Sequence, residues 1–599
     1  MARPLITSAA TWPAAGTPRA GSTRAGRSSR RVAWRCGLLL TAGWLAQAGL
    51  RVWFGRGQVV PLANPDETAY LIAARVLAGG PGGNLSGSTL YQGGYPLLIS
   101  PAYWFTRNPA TVYHTVMVIN AALSALIMPL GYLACRRLGL DRRMAYGAAM
   151  VAALVPAGFF YSDYAMSDAI FPVLTLAWLL AVHSWLTATS SRGWYAAAAG
   201  SALLSGFAYS VHSRGLVMLA LFAVTGIVIG VRRLAPRGTV AVAAVTALVT
   251  AAAGWGLDRY LTRAIYPGGT RSLSGQLVSR LTSSDGVVHV IEMAGGQMWR
   301  LVLDSWGIAG IGLIAAVAVV VSRGLRPDLR IMAAISVALT VLIACVASAA
   351  LPPDQGQTWA SGRYLDGMIV VFFLVGVVIL VRARPRRILG YAAATTGLFV
   401  LAAVTVAIYA GNSLPVSWFG NAFNFAEPAV LAGNWTQVSV LVATAVTLGL
   451  LSCWVLLALA ARRGAGLARL GLGALGLGLA AVSLVALAQM TSHVSQAATS
   501  AEAANTTGWL TATRLKPGDK LGIAIDVSWP VWVEQSFEVT WTQPVLFNPA
   551  DQPTPAGMTV VERLWTTGQP ASASWPQHPA GWRIVASDRT DGWVVWRRA

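Results

Sequence analysis

Carboxylates suited to proton transfer follow shortly after the first apolar stretch in the sequence. Asp66 and Glu67 follow Pro65, and Asp163 and Asp168 form a second acidic group at the start of a later apolar stretch. Neighbouring carboxylates can deprotonate a nucleophile or bind a hard divalent cation through oxygen. Taken one at a time, each is equally compatible with a solvated loop charge, so the acidic residues alone leave the chemistry open.

Basic residues at two other boundaries add side chains that bind phosphate. His212 and Arg214 precede one apolar stretch, and Gly362-Arg363-Tyr364 precedes another. The planar fork of an arginine suits a phosphate. An arginine at the start of a span also extends readily to the lipid headgroups. Position alone leaves both interpretations open.

The elements that must position these residues are membrane spans. Of the 599 residues, 55% are hydrophobic and only 11% are charged, whereas soluble proteins carry about 25% charged residues. Apolar stretches that match ~30 Å of hydrocarbon recur along the chain, and they predict an α-helical polytopic membrane protein with about thirteen transmembrane helices. The predicted spans are 33–54, 112–134, 145–160, 168–187, 195–210, 214–231, 238–256, 301–321, 331–350, 363–381, 388–410, 436–460 and 468–489.

The distribution of arginine predicts the orientation of these spans. Pairs such as Arg136-Arg137, Arg232-Arg233 and Arg462-Arg463 fall in alternate loops, and the carboxylates collect on the other side. Arginine-rich loops face the cytoplasm. The expected location is therefore the plasma membrane of a bacterium, with a cytoplasmic N-terminus, an extracytoplasmic C-terminus and the acidic residues outside.

Charge and cysteine content exclude two classes of protein. The net charge of +22 lies mainly in loops predicted to face anionic headgroups, so membrane lipids are expected partners and nucleic acid is not. Nearly all basic residues are arginine, which is typical of a GC-rich bacterial genome. The four cysteines lie in or beside apolar stretches, which argues against a disulfide framework or a cysteine metal site.

The chain divides into three predicted regions. Residues 1–31 have the composition of a disordered cytoplasmic tail. Residues 32–490 form the transmembrane domain, with long outer loops at 55–111 and 257–300. Residues 491–599 differ in composition and predict a small soluble extracytoplasmic α/β domain. Its expected elements are a helix at 501–515 and strands at 520–527, 536–541, 559–564, 582–587 and 592–597.

The order of the motifs resembles that of a known superfamily, the GT-C membrane glycosyltransferases that use polyprenyl-phosphate sugars. Within it, the likeness is to the aminoarabinose transferase and protein O-mannosyltransferase branch, in its actinobacterial form. The resemblance covers about residues 33–410, and its most specific element is Pro65-Asp66-Glu67-x-x-Tyr70. The matching motifs, in chain order, are Asp66-Glu67, Ser167-Asp168, Arg214 and Gly362-Arg363-Tyr364.

The resemblance implies a role for each of these residues. Asp66 is the expected general base that activates the acceptor, and Glu67 is its acidic neighbour. The chain departs from the commonest pattern by having Asp168 where Glu is frequent, and Glu67 where some branches have a second Asp. The residues expected to bind the donor and its phosphate are Arg214, Arg363, Tyr364 and His212. The expected ligands of a divalent metal ion (Mg²⁺ or Mn²⁺), or of the donor, are Asp163 and Asp168.

The expected function is glycosyl transfer from a polyprenyl-phosphate carrier to an extracytoplasmic glycan, lipid or protein, by an inverting attack assisted by an aspartate base. A lipid-linked donor agrees with the lack of a dinucleotide-type glycine fingerprint in the sequence. Two alternatives stay open. A flippase or exporter of lipid-linked glycans predicts polar residues inside many spans. A glycan ligase or polymerase would use Arg271, Arg280 and His289 in the loop 257–300.

Overall fold

The structure of the chain is a computed structural model that describes residues 25–351, 356–417, 419–500, 508–551 and 556–599. Within these residues it is a mostly helical, multi-pass membrane protein with a small mixed β-sheet near the C-terminal end. The predicted fold class is therefore confirmed. The tail predicted at 1–31 falls mainly on residues 1–24, outside the described part, and a helix already begins at Ala25.

Long helices build the membrane part, and local signals set several of their starts. The Asn108 side chain accepts a hydrogen bond of 2.9 Å from the N–H of Thr111, and Asp141 accepts one of 2.9 Å from the N–H of Arg143. The helices that correspond to predicted spans or to parts of them, together with Ser284–Leu303, are Ala25–Gly55, Pro109–Ser124, Ile127–Arg137, Arg142–Ala152, Phe171–Thr187, Ser191–Val211, Arg214–Val231, Arg237–Ile265, Ser284–Leu303, Ile308–Val321, Pro327–Ala350, Asp366–Arg382, Pro385–Tyr409, Val440–Ala460 and Ala465–Met490. Other helices are Asp66–Leu77, Gly94–Ile99, Pro156–Phe159, Leu273–Leu281, Phe419–Asn424, Ala426–Ala432, Trp509–Thr513 and Trp529–Glu538.

Every predicted span coincides with a helix, but the helices differ in how well they suit a membrane. In the described part of the chain, 8 helices are long and apolar enough to cross a bilayer, and the number is 10 if each of two bent pairs counts as one span. The remaining predicted spans correspond to the helices Ala25–Gly55, Phe171–Thr187 and Ser191–Val211. Phe171–Thr187 is apolar but has only 17 residues, and the other two do not belong to the long, apolar set.

Two of the predicted spans are not straight. The helices of the first pair, Arg142–Ala152 and Pro156–Asp163, meet at 76°, where proline lacks a backbone donor to continue the helix. The helices of the second pair, Ser284–Leu303 and Ile308–Val321, meet at 113°. Gly307 at this second bend has a φ of 87°, which glycine adopts without strain. The span predicted at 301–321 is therefore the second arm of a broken helix.

Two predicted boundaries lie elsewhere in the structure. The outer loop 257–300 is mostly helical, because it contains the end of Arg237–Ile265, the helix Leu273–Leu281 and most of Ser284–Leu303. Its apolar residues follow an amphipathic pattern, which a search for continuous apolar runs does not detect. The helix from Ala465 continues past the predicted domain boundary at 490 and reaches Ser500 through a polar, helix-compatible stretch.

Short strands form two sheets in the described chain: β1 (Ser413–Pro415), β2 (Gln437–Ser439), β3 (Leu521–Ala524), β4 (Val545–Phe547), β5 (Val560–Leu564), β6 (Trp582–Asp588) and β7 (Trp593–Arg598). Strands β1 and β2 pair antiparallel. The others form one sheet in the order β4-β3-β5-β7-β6, in which β3 runs parallel to β4 and β5. The β5–β7 and β7–β6 pairs are antiparallel. We refer to residues 508–599 as the C-terminal domain.

Most of the predicted strands of the C-terminal domain are confirmed, and one is wrong. The segment predicted as a strand at 536–541 lies largely in the helix Trp529–Glu538. The buried residues Trp532, Val533 and Phe537 recur at helical spacing, a period that the strand interpretation overlooked. Strand β4 was not predicted, because it has only three residues. The part of the predicted helix at 501–507 lies outside the described residues.

We expect the first outer segment, the segment 257–300 and the C-terminal domain to share the extracytoplasmic side. The N–H of Leu85 donates a 2.7 Å hydrogen bond to the carbonyl of Ile265, and Arg75 binds the Ser536 carbonyl at 2.8 Å. Reporter fusions at residues 85, 280 and 550 should therefore read as extracytoplasmic. Fusions at 190 and 385, in arginine-rich loops, should read as cytoplasmic. A cytoplasmic signal at 550 would overturn this topology.

Candidate active site

Asp66 is the first residue of the helix Asp66–Leu77, which we call the Asp66 helix, and it lies at the edge of a cavity. Its Oδ1 accepts a hydrogen bond of 2.7 Å from the Tyr91 hydroxyl, and its Oδ2 lies 3.2 Å from Nη1 of Arg363. The side chain of Asp66 is 27% exposed. A partly exposed carboxylate held by two partners is well positioned to take a proton from a molecule in the cavity.

Glu67, the next residue, faces the protein interior and is fully buried. Its Oε2 accepts hydrogen bonds from the N–H groups of Leu62 and Ala63, both at 2.7 Å. Its Oε1 accepts from the Tyr113 hydroxyl at 2.7 Å and from the N–H of Ala165 at 2.6 Å. Burial raises the pKa of Glu67, and the four donors oppose that rise because they stabilise the charged form. These contacts fasten the start of the Asp66 helix to the turn at Ala165.

Arg214 organises the basic side of the site. Its Nη2 forms a buried ion pair of 2.6 Å with Oδ1 of Asp168. Its Nη1 donates to the backbone carbonyls of Arg363 at 3.0 Å and Tyr364 at 3.2 Å. The guanidinium also lies 4.5 Å from the centre of the Phe171 ring. Arg214 therefore fixes the backbone that carries Arg363 and Tyr364.

The charges around Arg214 set the protonation of its neighbours. The Nδ1 of His212 accepts a hydrogen bond of 3.1 Å from the N–H of Arg214. Burial, together with the nearby Arg214 charge, holds the pKa of His212 well below its ordinary value, so the imidazole is neutral at pH 7. Burial would raise the pKa of Asp168, but the positive charges of Arg214 and Arg363 outweigh it and keep that pKa below its ordinary value.

Six of the predicted site residues line one cavity of about 220 Å³, which we call the first cavity. Arg271 and Gln276 lie at its border, and Ile343, Val346 and Ala347 from the helix Pro327–Ala350 supply an apolar wall. A polar end and an apolar wall suit an amphipathic ligand. The six predicted residues are Asp66, Asp168, His212, Arg214, Arg363 and Tyr364.

A second cavity, of about 260 Å³, is lined by Asp66, Arg363 and Tyr364 as well. Two phenylalanines border it, Phe419 and Phe423, and their rings stack with centres 5.5 Å apart. Because these three residues and Leu351 line both spaces, the Asp66–Arg363 pair lies at the border that the two cavities share. The polar side chains that border the second cavity are Asn64, Thr358, Ser361 and Asn424.

Two predicted site residues, Glu67 and Asp163, are not among the residues that line either cavity. Glu67 is buried as described above. Asp163 is 3% exposed, and its carboxylate interacts electrostatically with the guanidinium of Arg51. Arg51 is itself buried and donates to the carbonyl of Ala153 at 2.9 Å. Asp163 therefore belongs to the packing of the first helix against the bent pair.

A buried network that the sequence interpretation missed lies beneath Arg363. Arg300 pairs with Asp304 at 2.8 Å and with Glu427 at 2.7 Å, and it donates to the carbonyl of Ala360 at 3.1 Å. Gly362 packs on this network so closely that a Cβ there would collide with Oδ2 of Asp304. The glycine before Arg363 is thus required by close approach. The spacing of Arg300 and Asp304, four apart on a helix, was the available signal.

Asp163 and Asp168, the expected ligands of a divalent cation, each interact with an arginine. Asp168 is paired with Arg214, whereas Asp163 interacts with Arg51. Among the described residues, no group of three or more His, Cys, Asp or Glu is arranged to hold a metal ion. The first cavity carries more arginine than carboxylate, so its field favours an anion over a cation.

Known proteins resemble this chain in two ways: a family matches part of its sequence, and solved structures share its fold. The family described as "Dolichyl-phosphate-mannose-protein mannosyltransferase" matches residues 87–252, which is less than half of the chain. The structure is similar to that of ArnT from Cupriavidus metallidurans bound to undecaprenyl phosphate, with a TM-score of 0.53 and 16% identity over 92% of this chain and 97% of ArnT. The apo state of the same ArnT gives a TM-score of 0.51 and 16% identity over 93% and 98% of the two chains. No curated protein matches the sequence. The likeness to ArnT shows that the two chains share a fold.

Asp66 and Glu67 should differ in how much replacement of the carboxylate by an amide lowers the stability of the protein. In Glu67→Gln the amide NH₂ cannot accept hydrogen bonds, so buried donors lose their partner at about 1–3 kcal/mol each. We expect a clear fall in the thermal unfolding temperature of the purified protein. Asp66→Asn, at a partly exposed position with two partners, should unfold near the wild-type temperature. Unchanged stability of Glu67→Gln would argue against a structural role for Glu67.

Proposed function

We propose that this chain is a membrane glycosyltransferase that moves a sugar from a polyprenyl-phosphate carrier to an acceptor on the extracytoplasmic side. The observation that carries the proposal is the position of Asp66 between two cavities, one of which joins arginines to an apolar wall. The fold shared with ArnT and the family match over residues 87–252 support a lipid-phosphate donor.

The first cavity suits the donor. Arg363 and Arg271 present guanidinium groups to a carrier phosphate, and a polyprenyl chain extends along Ile343, Val346 and Ala347. The Nε of Arg363 is buried and has no hydrogen-bond partner within the described chain, which leaves a donor available for an anion. Arg214 acts indirectly, because its own donors hold Asp168 and the backbone that carries Arg363.

The second cavity suits the acceptor. The rings of Phe419 and Phe423 offer a flat apolar surface, and Asn64, Ser361 and Asn424 add hydrogen-bonding groups. A sugar ring has one apolar face and a rim of hydroxyls, and it matches both kinds of lining. We therefore assign a glycan hydroxyl as the nucleophile, with the hydroxyl of a lipid or protein as alternatives that present the same reacting group.

The proposed reaction is a single displacement at the anomeric carbon of the donor sugar. The acceptor oxygen forms the new bond to that carbon while its proton passes to the Asp66 carboxylate. The bond from the anomeric carbon to the phosphate oxygen breaks, and the electron pair leaves with the phosphate. Arg363 stabilises the negative charge on the leaving phosphate. The arginines, rather than a divalent metal ion, supply the positive charge in this step.

The two alternative functions fit the observed residues less well. A flippase needs a polar path through the spans, whereas the carboxylates that line the first cavity are held in ion pairs with Arg214 and Arg363. A ligase or polymerase was expected to use Arg271, Arg280 and His289. Of these, Arg271 lines the first cavity, whereas Arg280 donates to the backbone carbonyl of Ala349 at 3.0 Å. Glycosyl transfer from a lipid carrier remains the function that the site supports best.

The central test is Asp66→Asn. Asparagine keeps the size of the side chain but cannot accept a proton at neutral pH, so the transfer rate should fall by about 10²–10⁴-fold. Donor affinity should stay close to that of the wild type. Arg363→Ala should weaken donor binding as well as turnover, because a phosphate partner is lost. The measurement is the transfer rate and donor affinity of purified protein with a panel of polyprenyl-phosphate sugars.

Asp285→Asn is the matched control for this experiment. Asp285 is an exposed carboxylate in the first turn of the helix Ser284–Leu303, and it is not among the residues that line either cavity. The same chemical change there should leave turnover unaltered. Near-normal transfer by Asp66→Asn would remove Asp66 as the base. Equal losses in both variants would point to a general effect of surface charge.

Removal of divalent metal ions with a chelator tests whether arginines or a metal ion stabilise the negative charge on the leaving phosphate. Because the first cavity pairs its carboxylates with arginines, treatment with EDTA followed by removal of the chelator should leave the transfer rate unchanged. Addition of Mg²⁺ or Mn²⁺ should not raise it. A loss of activity that either ion restores would contradict the metal-free mechanism and return Asp163 and Asp168 to consideration as ligands.

A further inference from the structure

The C-terminal domain contacts the membrane part of the chain directly at the Asp66 helix. The contact is made by the helix Trp529–Glu538, which we call the brace helix. The brace helix buries Trp532, Val533 and Phe537, residues that belong to the hydrophobic core. A movement of the C-terminal domain is therefore transmitted to the helix that carries Asp66.

One contact holds the C-terminal end of the Asp66 helix. Arg75 is 1% exposed, and its Nη1 donates to the carbonyls of Ser536 and Val539, both at 2.8 Å. These carbonyls lie at the C-terminal end of the brace helix, where the helix dipole favours a cation. The Nε and Nη2 of Arg75 bind the carbonyls of Pro81 at 2.8 Å and Gly82 at 2.7 Å. Burial lowers the pKa of Arg75 to about 10, which leaves it charged at neutral pH.

A second contact holds the N-terminal end of the same helix. The Nδ2 of Asn64 donates to Oε2 of Glu534 on the brace helix at 3.0 Å. The Oδ1 of Asn64 accepts from the Thr68 hydroxyl in the first turn of the Asp66 helix at 2.8 Å. Asn64 is two residues from Asp66 and lines the second cavity. The brace helix is thus linked through one amide to the turn that carries the carboxylate.

We infer that the C-terminal domain is a positioning element for Asp66, and that Glu534 and the carbonyl end of the brace helix are its two points of attachment. The inference rests on the proposed function, because it assigns to the C-terminal domain the task of keeping the base between the two cavities. Glu534 and Arg75 are positioning residues in this account, since each acts through another group. A displacement of about 1 Å at a reacting group can cost about 100-fold in rate.

The donor site should be largely independent of the brace helix. The first cavity is built from Asp168, Arg214, Arg363 and the helix Pro327–Ala350, and the brace helix contributes no lining residue to it. Loosening the brace should therefore reduce kcat while donor affinity stays the same. A merely structural role would instead lower stability and affect binding and turnover together.

The test compares Glu534→Ala with Glu534→Gln in the full-length protein. Alanine removes the acceptor for Asn64, whereas glutamine keeps a carbonyl oxygen in nearly the same place. We expect Glu534→Ala to lower kcat by about tenfold to 100-fold with unchanged donor affinity, and Glu534→Gln to restore most of the loss. In an Asp66→Asn background the alanine substitution should have no further effect on the residual rate, because the group it positions is gone.

Hydrogen exchange gives a second readout that does not depend on activity. Glu534→Ala should speed amide exchange in residues 62–77 relative to both wild type and Glu534→Gln, and Arg75→Lys should do the same near Leu77. Unchanged exchange and unchanged kcat in Glu534→Ala would overturn the inference. If the wild type transfers no sugar from any donor, the proposed function fails, and the exchange result still decides whether the brace exists.

Discussion

The ion pair between Asp66 and Arg363 is the interaction on which the site depends. Its partners are 297 positions apart in the chain, one in the first outer segment and the other at the start of a late span. Oδ2 of Asp66 lies 3.2 Å from Nη1 of Arg363. Charged groups at the edge of an apolar bundle must be paired or solvated. The two regions are therefore drawn to the same point, and the two cavities lie on either side of it.

The charged residues that support the site are more deeply buried than Asp66, the residue proposed to react. Glu67 and Arg300 are fully buried and fully engaged with partners from several segments. A buried charge of this kind is costly to disturb, so it fixes the backbone around it. Asp66 keeps 27% of its side chain exposed, and its partners among the described residues are a hydroxyl and a guanidinium. The exposed member of the acidic pair, Asp66, is thus the one accessible to a molecule in the cavities, as the proposed function requires.

The sequence predicted the helical class, because apolar runs and arginine asymmetry follow directly from the cost of burying polar groups in lipid. It predicted most of the charged residues that line the first cavity through their resemblance to the motifs of a known superfamily. The different orientations of Asp66 and Glu67 were not predictable in the same way. Successive residues on a helix point about 100° apart, and which one faces inward depends on distant partners such as Ala165. The link between Arg300 and Glu427, 127 positions apart, likewise leaves no local pattern.

The arrangement of the cavities also bears on the stereochemistry of the proposed transfer. If the carrier phosphate is in the first cavity and the acceptor is in the second, the two oxygens approach the anomeric carbon from opposite sides. A nucleophile that attacks opposite the leaving group inverts the configuration at that carbon. Retention by double displacement would need a second carboxylate close to the anomeric carbon. Asp168, the other carboxylate of the first cavity, is held in its ion pair with Arg214 at 2.6 Å and is only 5% exposed. Under the proposed function, this arrangement favours one displacement with inversion.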